Sequence, residues 1–210
     1  MYKKFVKRLL DLVLSTLAII VLAIPMLVIA LIIKISDPGP ALFVQMRSGK
    51  NKKSFKMYKF RSMKVNAPHD MPTRMLTDSD QYITRIGKFL RKSSLDELPQ
   101  IFNIWTGKMS IIGPRPVIVE ETDLIEERDK YGANDVRPGL TGWAQINGRD
   151  EIGVHLKAKL DGEYIRKMSF IFDCRCFLGT IFSVLRSDGV VEGSEGKTQA
   201  QEEKEETATK

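Results

Sequence analysis

Histidine and cysteine are nearly missing from this chain, with two of each in 210 residues. His69 and His155 stand alone, and a single residue separates Cys174 from Cys176. That spacing suits neither a disulfide framework nor the usual ligand pattern of zinc, so both thiols read as reduced and packed, in a cytoplasmic setting. Acidic residues are outnumbered, 26 against 33 lysines and arginines. The imbalance is larger in the body than the net charge of +7 suggests, because Gly189 to Lys210 holds three lysines against six glutamates. Without that segment the rest carries about +10. A basic body attracts nucleic acid, anionic lipid headgroups or phosphorylated small molecules, and charge alone does not choose among them. Residues 189–210 also lack aromatics and periodicity, the composition of a disordered acidic tail. With 43% hydrophobic and 28% charged residues overall, the chain suffices for one modest domain with a real core, plus appendages.

Charge is wholly absent from Leu12 to Ile33. Roughly 22 helical residues at about 1.5 Å each reach across a hydrocarbon core of about 30 Å, so the run belongs in a membrane. It ends in Lys34, Ile35, Ser36 and Asp37 without a small-residue cleavage pattern, which argues against a signal peptide. Two features favour a re-entrant hairpin over a spanning helix. Pro25, near the middle, removes a backbone donor and bends the helix. Both flanks are basic, with Lys3, Lys4, Lys7 and Arg8 before the run and Lys34, Arg47, Lys50, Lys52, Lys53 and Lys56 after it. The positive-inside tendency places both ends on the same side. Ile24 has no hydroxyl for the carbonyl that Pro25 frees, which leaves Ser15 or Thr16 to serve it.

Beyond the turn at Asp37 to Pro40, Ala41 to Gln45 and Ser54 to Phe60 read as two strands of a hairpin, with basic residues on both faces of the second. Asn66 to Asp80 is polar and proline-containing, a surface loop. Ile83, Ile86 and Leu90 mark an amphipathic helix whose other side carries Arg85, Lys88 and Lys92.

Ser93 to Trp105 is the stretch around which the chain is organised. Leu98, Ile101, Phe102 and Trp105 have the spacing of a helical apolar stripe. Two adjacent acids, Asp96 and Glu97, precede it. Ser94 and Glu97 have the spacing of a capping box, but Pro99 is tolerated only if the helix starts nearer Asp96, so the cap stays open. Gly107 ends the helix. Pro114 and Pro116 then fix the backbone on both sides of Arg115, either as a proline-rich turn or as a rigid mount for a guanidinium that binds phosphate. Val119 to Tyr131 reads as a charged helix. Val136 to Arg149 is rich in turn formers, with Arg137, Thr141, Gln145 and Arg149 as polar handles, and reads as either a binding loop or a structural crossover. Leu156, Leu160, Tyr164 and Ile165 suggest another helix. Asp173 lies in the apolar segment Phe170 to Leu185, where a carboxylate needs a cationic partner.

In this order the pieces resemble the small monotopic phosphoglycosyl transferases of bacteria. The resemblance runs from about Tyr2 to Leu185 and rests on the basic N-terminus with its proline-containing apolar run, YKFRSM at Tyr58 to Met63, RKSSLDELPQ at Arg91 to Gln100, GPRP at Gly113 to Pro116, VRPGLTGWAQINGR at Val136 to Arg149, and the Asp173 segment. It implies an α+β, mostly helical fold: a re-entrant membrane helix over residues 1–36, a compact cytoplasmic catalytic domain with a small β-hairpin over 37–188, and the tail at 189–210. It also implies transfer of a sugar phosphate from a UDP-sugar to a polyprenol (undecaprenyl) phosphate at the cytoplasmic face of the bacterial inner membrane, with UMP released and no nucleic acid partner. Asp96 would be the nucleophile, and Glu97 would hold Mg²⁺ with it. Arg91 and Arg115 would grip phosphate, Lys59 and Asp173 would shape the charge, and Arg137, Thr141, Gln145 and Arg149 would meet nucleotide or sugar. The alternative from composition alone is a non-enzymatic, membrane-anchored basic module that binds anionic lipid or nucleic acid.

Overall fold

The computed structural model describes residues 1–67, 81–148 and 152–186. Most of the expected Asn66 to Asp80 loop, Arg149 and the tail at 189–210 lie outside the described residues. After one wide, π-helical turn at Tyr2–Val6, α1 (Lys7–Ser36) runs as one helix with Pro25 inside it. By length and composition it is apolar enough to cross a membrane. Ser15 and Thr16 do not serve the carbonyl of Val21 that Pro25 leaves free; both hydroxyls donate to Leu12 O, because a helical Ser or Thr reaches back three or four residues.

The α1 helix is tied to the body near both ends. Arg8 donates to the carbonyls of Ile104 and Trp105, and the buried Asp11 accepts from Ser110 Oγ at 2.8 Å and from the Ile111 N–H at 3.0 Å. Further along, Met26 and Ile33 form a buried cluster with Phe60 and Leu90. Most of the remaining surface of α1 is exposed, including Leu17, Ile20, Val21, Ile24, Leu27 and Leu31.

The hairpin forms as expected, with the first strand reaching further. Strand β1 (Leu42–Ser48) pairs antiparallel with β2 (Ser54–Phe60), in a register that sets Leu42 opposite Phe60 and Ser48 opposite Ser54. Phe55 and Met57 point into the core, packed with Ile104 and Met109, and Lys59 follows them on the same face of the strand. Helix α2 (Arg85–Lys92) begins at Thr84, whose hydroxyl accepts from the Gly87 N–H at 2.8 Å. A side chain at Gly87 would meet the carbonyl of Ser62 at 1.8 Å, so only glycine lets α2 approach the end of the hairpin.

Over Ser93 to Trp105 the cap that was left open is decided, and the expected apolar stripe is corrected. Ser94 adopts a left-handed backbone with φ 57° and makes no side-chain cap, so there is no capping box. Leu95–Glu97 forms a 3₁₀ turn, and α3 (Gln100–Trp105) starts only after Pro99, whose ring fits at a helix start and not inside one. The buried face also differs from the expected stripe: Gln100, Ile101, Asn103 and Ile104 are buried, whereas Phe102 and Trp105 are exposed.

Beyond Gly107, which takes a left-handed φ of 78°, β3 (Ser110–Ile112) pairs parallel with β4 (Gly139–Thr141), a sheet that the sequence reading did not anticipate. Between them lies α4 (Thr122–Asp129), and after them α5 (Trp143–Ile146), α6 (Val154–Lys167) and α7 (Phe170–Arg186). Tyr164, Met168, Phe172 and Cys176 close one core cluster over Ile112, and Val117, Leu124 and Ala158 close another. The result is the mostly helical α+β architecture expected, with two small sheets and one long apolar N-terminal helix.

Candidate active site

Three separate segments bring charge to one place. The 3₁₀ turn presents Asp96 and Glu97, the inward face of β2 presents Lys59, and the Gly113 to Pro116 segment presents Arg115. Glu97 Oε1 accepts from Lys59 Nζ at 2.8 Å and from Arg115 Nη2 at 3.0 Å. Burial alone would raise the pKa of Glu97, but the two cations outweigh it and hold the group far below the usual carboxylate range. Glu97 is therefore a fixed anion.

Its neighbour is in the opposite condition. Asp96 is buried, yet among the described residues no hydrogen bond or ion pair engages its carboxylate. Burial pushes its pKa up and the charge of Glu97 adds to that, while Lys59, Arg91 and Arg115 pull it down; the net shift is upward. Arg91 comes from the last turn of α2 and is steadied by Ser62, whose Oγ accepts from Arg91 Nε at 2.8 Å.

Two adjacent carboxylates are the hard oxygen donors that Mg²⁺ takes, and Mg²⁺ is commonly held by only one or two protein carboxylates beside substrate phosphates. Asp96, with its unengaged oxygens, fits that role. Glu97 fits it through Oε2, since Oε1 is taken by Lys59 and Arg115. Among the described residues no group of three or more His, Cys, Asp or Glu side chains is placed to hold a metal.

The other residues singled out in the sequence are bonded elsewhere. Arg137 Nε donates to Gly107 O at 2.8 Å, closing the C-terminal end of α3. Thr141 and Thr180 share a hydroxyl contact of 2.7 Å that joins β4 to α7, and Gln145 Nε2 donates to Leu140 O at 3.1 Å. Asp173 has the cationic partner it needs in Lys7, 2.6 Å away, and accepts also from the hydroxyls of Tyr2 and Tyr164. It fastens α7 and α6 to the start of the chain.

Sequence reasoning missed the polar groups that hold the site together. Asn103, buried in α3, accepts from the Tyr58 N–H at 3.1 Å and donates to Lys56 O at 2.7 Å, fixing the strand that carries Lys59. Its only sequence signal was a polar side chain one residue after the apolar pair Ile101 and Phe102. Asp11 was visible as the last charge before the apolar run, but nothing in the sequence named Ser110 and Ile111 as its partners.

A sequence profile of the family described as "Bacterial sugar transferase" matches residues 2–187. The chain is 41% identical over 186 residues to the UDP-glucose:undecaprenyl-phosphate glucose-1-phosphate transferase of Escherichia coli (strain K12), an alignment that covers 85% of this chain and 40% of that protein. It is 37% identical over 193 residues to the UDP-N-acetylgalactosamine-undecaprenyl-phosphate N-acetylgalactosaminephosphotransferase of Aeromonas hydrophila, covering 88% of this chain and 45% of the relative. The chain thus spans less than half the length of these two relatives. With the uncharacterized sugar transferase EpsL of Bacillus subtilis (strain 168) it shares 35% identity over 184 residues, covering 88% of this chain and 89% of EpsL.

Proposed function

The chain belongs to the bacterial sugar transferases, and from that premise we propose that it moves a sugar phosphate from a UDP-sugar to undecaprenyl phosphate through an intermediate on Asp96. The observation that carries this reading is the contrast between two adjacent acids, one pinned by two cations and one buried with its oxygens free.

A carboxylate oxygen of Asp96 attacks the phosphorus that bears the sugar. The bond from that phosphorus to the bridging oxygen breaks, and UMP leaves with the electron pair. A phosphate oxygen of the lipid acceptor then attacks the same phosphorus, the bond to Asp96 breaks, and the free carboxylate is restored. Dividing the transfer in two keeps the two anionic substrates from having to react with each other directly. Lys59, Arg91 and Arg115 offset the charge that the diphosphate brings to a site already holding Glu97. Mg²⁺, when held by Asp96 and Glu97, would neutralise further phosphate charge.

Membrane attachment follows from α1. Asp11 and Ile33 are both buried against the body although about 33 Å of helix, at about 1.5 Å per residue, separates them. A helix that crossed the bilayer would carry one of those positions away from a body on the cytoplasmic side. Entry and exit by the same leaflet, with the exposed apolar side of α1 in lipid, keeps both contacts and sets the site at headgroup depth, where the acceptor phosphate resides. Residues 1–36 thus act as the anchor, and those from 37 to about 188 as the catalytic domain.

The deciding experiment incubates the full chain with Mg²⁺ and a panel of UDP-sugars, first without acceptor. A protein adduct with the mass of one sugar phosphate, formed with UMP and cleared by added undecaprenyl phosphate, is expected from wild type and not from Asp96→Asn. Folded protein that releases no UMP with any donor, yet binds anionic vesicles, would instead support the basic-module reading.

A further inference from the structure

Arg128 and Asp161 are buried charges, 3% and 1% exposed, on α4 and α6, two helices to which the sequence reading assigned no role. Arg128 Nε donates to Asp161 Oδ2 at 2.8 Å, and Nη2 lies 2.6 Å from the same oxygen. The remaining nitrogen, Nη1, donates to the main-chain carbonyl of Arg115 at 3.0 Å. The carbonyls on either side are also held: Pro114 O accepts from the Gly139 N–H at 2.8 Å, and Pro116 O accepts from Arg47 Nη1 at 3.2 Å. Three successive carbonyls are thus bonded to three other segments, in a stretch whose prolines already restrict the backbone. The side chain mounted on it is the one that reaches Glu97.

We infer that the Arg128–Asp161 pair is a positioning device for Arg115, setting where its guanidinium meets Glu97 and the donor diphosphate; this rests on the function proposed above. Asp161 orients the Arg128 fork, and Arg128 fixes the Arg115 carbonyl. Lysine at position 128 has a single nitrogen. It can keep the charge pair with Asp161 but not also hold the carbonyl in the same planar geometry.

The test is a double-mutant cycle with UMP release as readout, using whichever UDP-sugar wild type consumes best. Arg128→Lys is expected to lower kcat/KM about tenfold in the wild-type background, the scale of one charge-assisted hydrogen bond. In the Arg115→Ala background it is expected to cost nothing further, because the group being positioned is gone. Losses that multiply in the two backgrounds overturn the proposal. An Arg115→Ala enzyme with full activity instead refutes the role given to Arg115 itself. If Arg128→Lys does not fold, the paired replacement Arg128→Met with Asp161→Leu removes the charges without leaving one buried alone, and carries the same expectation. Should wild type release no UMP, hydrogen exchange still decides the positioning claim. The Gly139 amide, which donates to Pro114 O, and the Gly113 amide, which donates to Thr141 O, are expected to exchange about tenfold faster in the variant while those in the middle of β1 and β2 do not change, and unaltered exchange sinks it.

Discussion

Asp96 and Asp173 are equally buried, at 8% and 7% exposure, and both have cations close by. They are nonetheless opposites. Asp173 is saturated, with a lysine and two tyrosine hydroxyls on its two oxygens. Asp96 has surrounding positive charge but no bonded partner among the described residues. Burial is therefore uninformative about role, and the commitment of the lone pairs is what separates them. A carboxylate whose oxygens are all engaged holds a structure together, whereas one set among cations without a bonded partner keeps its lone pairs for another group.

The largest expected effect, and the sharpest way to break this contrast, is Asp96→Asn. Turnover is expected to fall by at least about a thousandfold. Because burial raises the pKa of Asp96, its ionised form weighs against the folded state above that pKa, so the unfolding midpoint in urea at neutral pH should stay level or rise. A variant within tenfold of wild-type turnover would remove Asp96 from the mechanism. Asp173→Ala is expected to do the reverse. It strands Lys7 and the Tyr2 hydroxyl, leaves Tyr164 only the Ile112 carbonyl, and should cost about 3 kcal/mol of stability, with activity following the folded fraction. Lost turnover in a fully stable Asp173→Ala protein would instead support the site role that the family resemblance implies for Asp173.

Tyr164→Phe removes one of the three bonds to Asp173 and should cost about 1 kcal/mol in the same unfolding measurement. The smallest effect expected is a displacement of the pH profile. In the proposed mechanism the ionised form of Asp96 reacts, so kcat/KM should fall as pH drops through a pKa above the ordinary aspartate value. Glu97→Gln removes a like charge and frees Lys59 and Arg115 to act on Asp96, and the acid limb should move to lower pH in whatever activity remains. A limb that moves upward would mean that Glu97 does not act on Asp96 through its charge.

The existence and type of the elements were readable because each had a local cause. The uncharged run became α1, the polar residues from Gly49 to Lys53 joined β1 to β2, Gly107 ended α3, and the periodicity around Leu160 became α6. The β3–β4 sheet was not readable. Three-residue parallel strands carry too little pattern to be seen, and their partners come from segments far apart in the chain. Asp173 was correctly read as needing a cation, but sequence could not say that Lys7, from the opposite end of the described chain, would supply it. For Arg137, Thr141 and Gln145 the sequence left a binding loop and a structural crossover open, because turn formers and polar handles suit both; in the fold each makes a hydrogen bond within the protein, to Gly107, Thr180 and Leu140.

Motif order by itself determined the family, and an adjacent pair of acids followed by proline determined where its chemistry would be sought. Those features are local, since proline, glycine and uncharged runs constrain the backbone wherever they occur. Only the folded chain decided which of the two acids was clamped and which was left open. That depends on where Lys59 and Arg115 arrive from β2 and the proline-flanked segment, and on how Asn103 and Arg128 hold those supports in place. Charge pairing acts through space between segments distant in sequence, so tertiary structure alone distinguished Asp96 from Glu97.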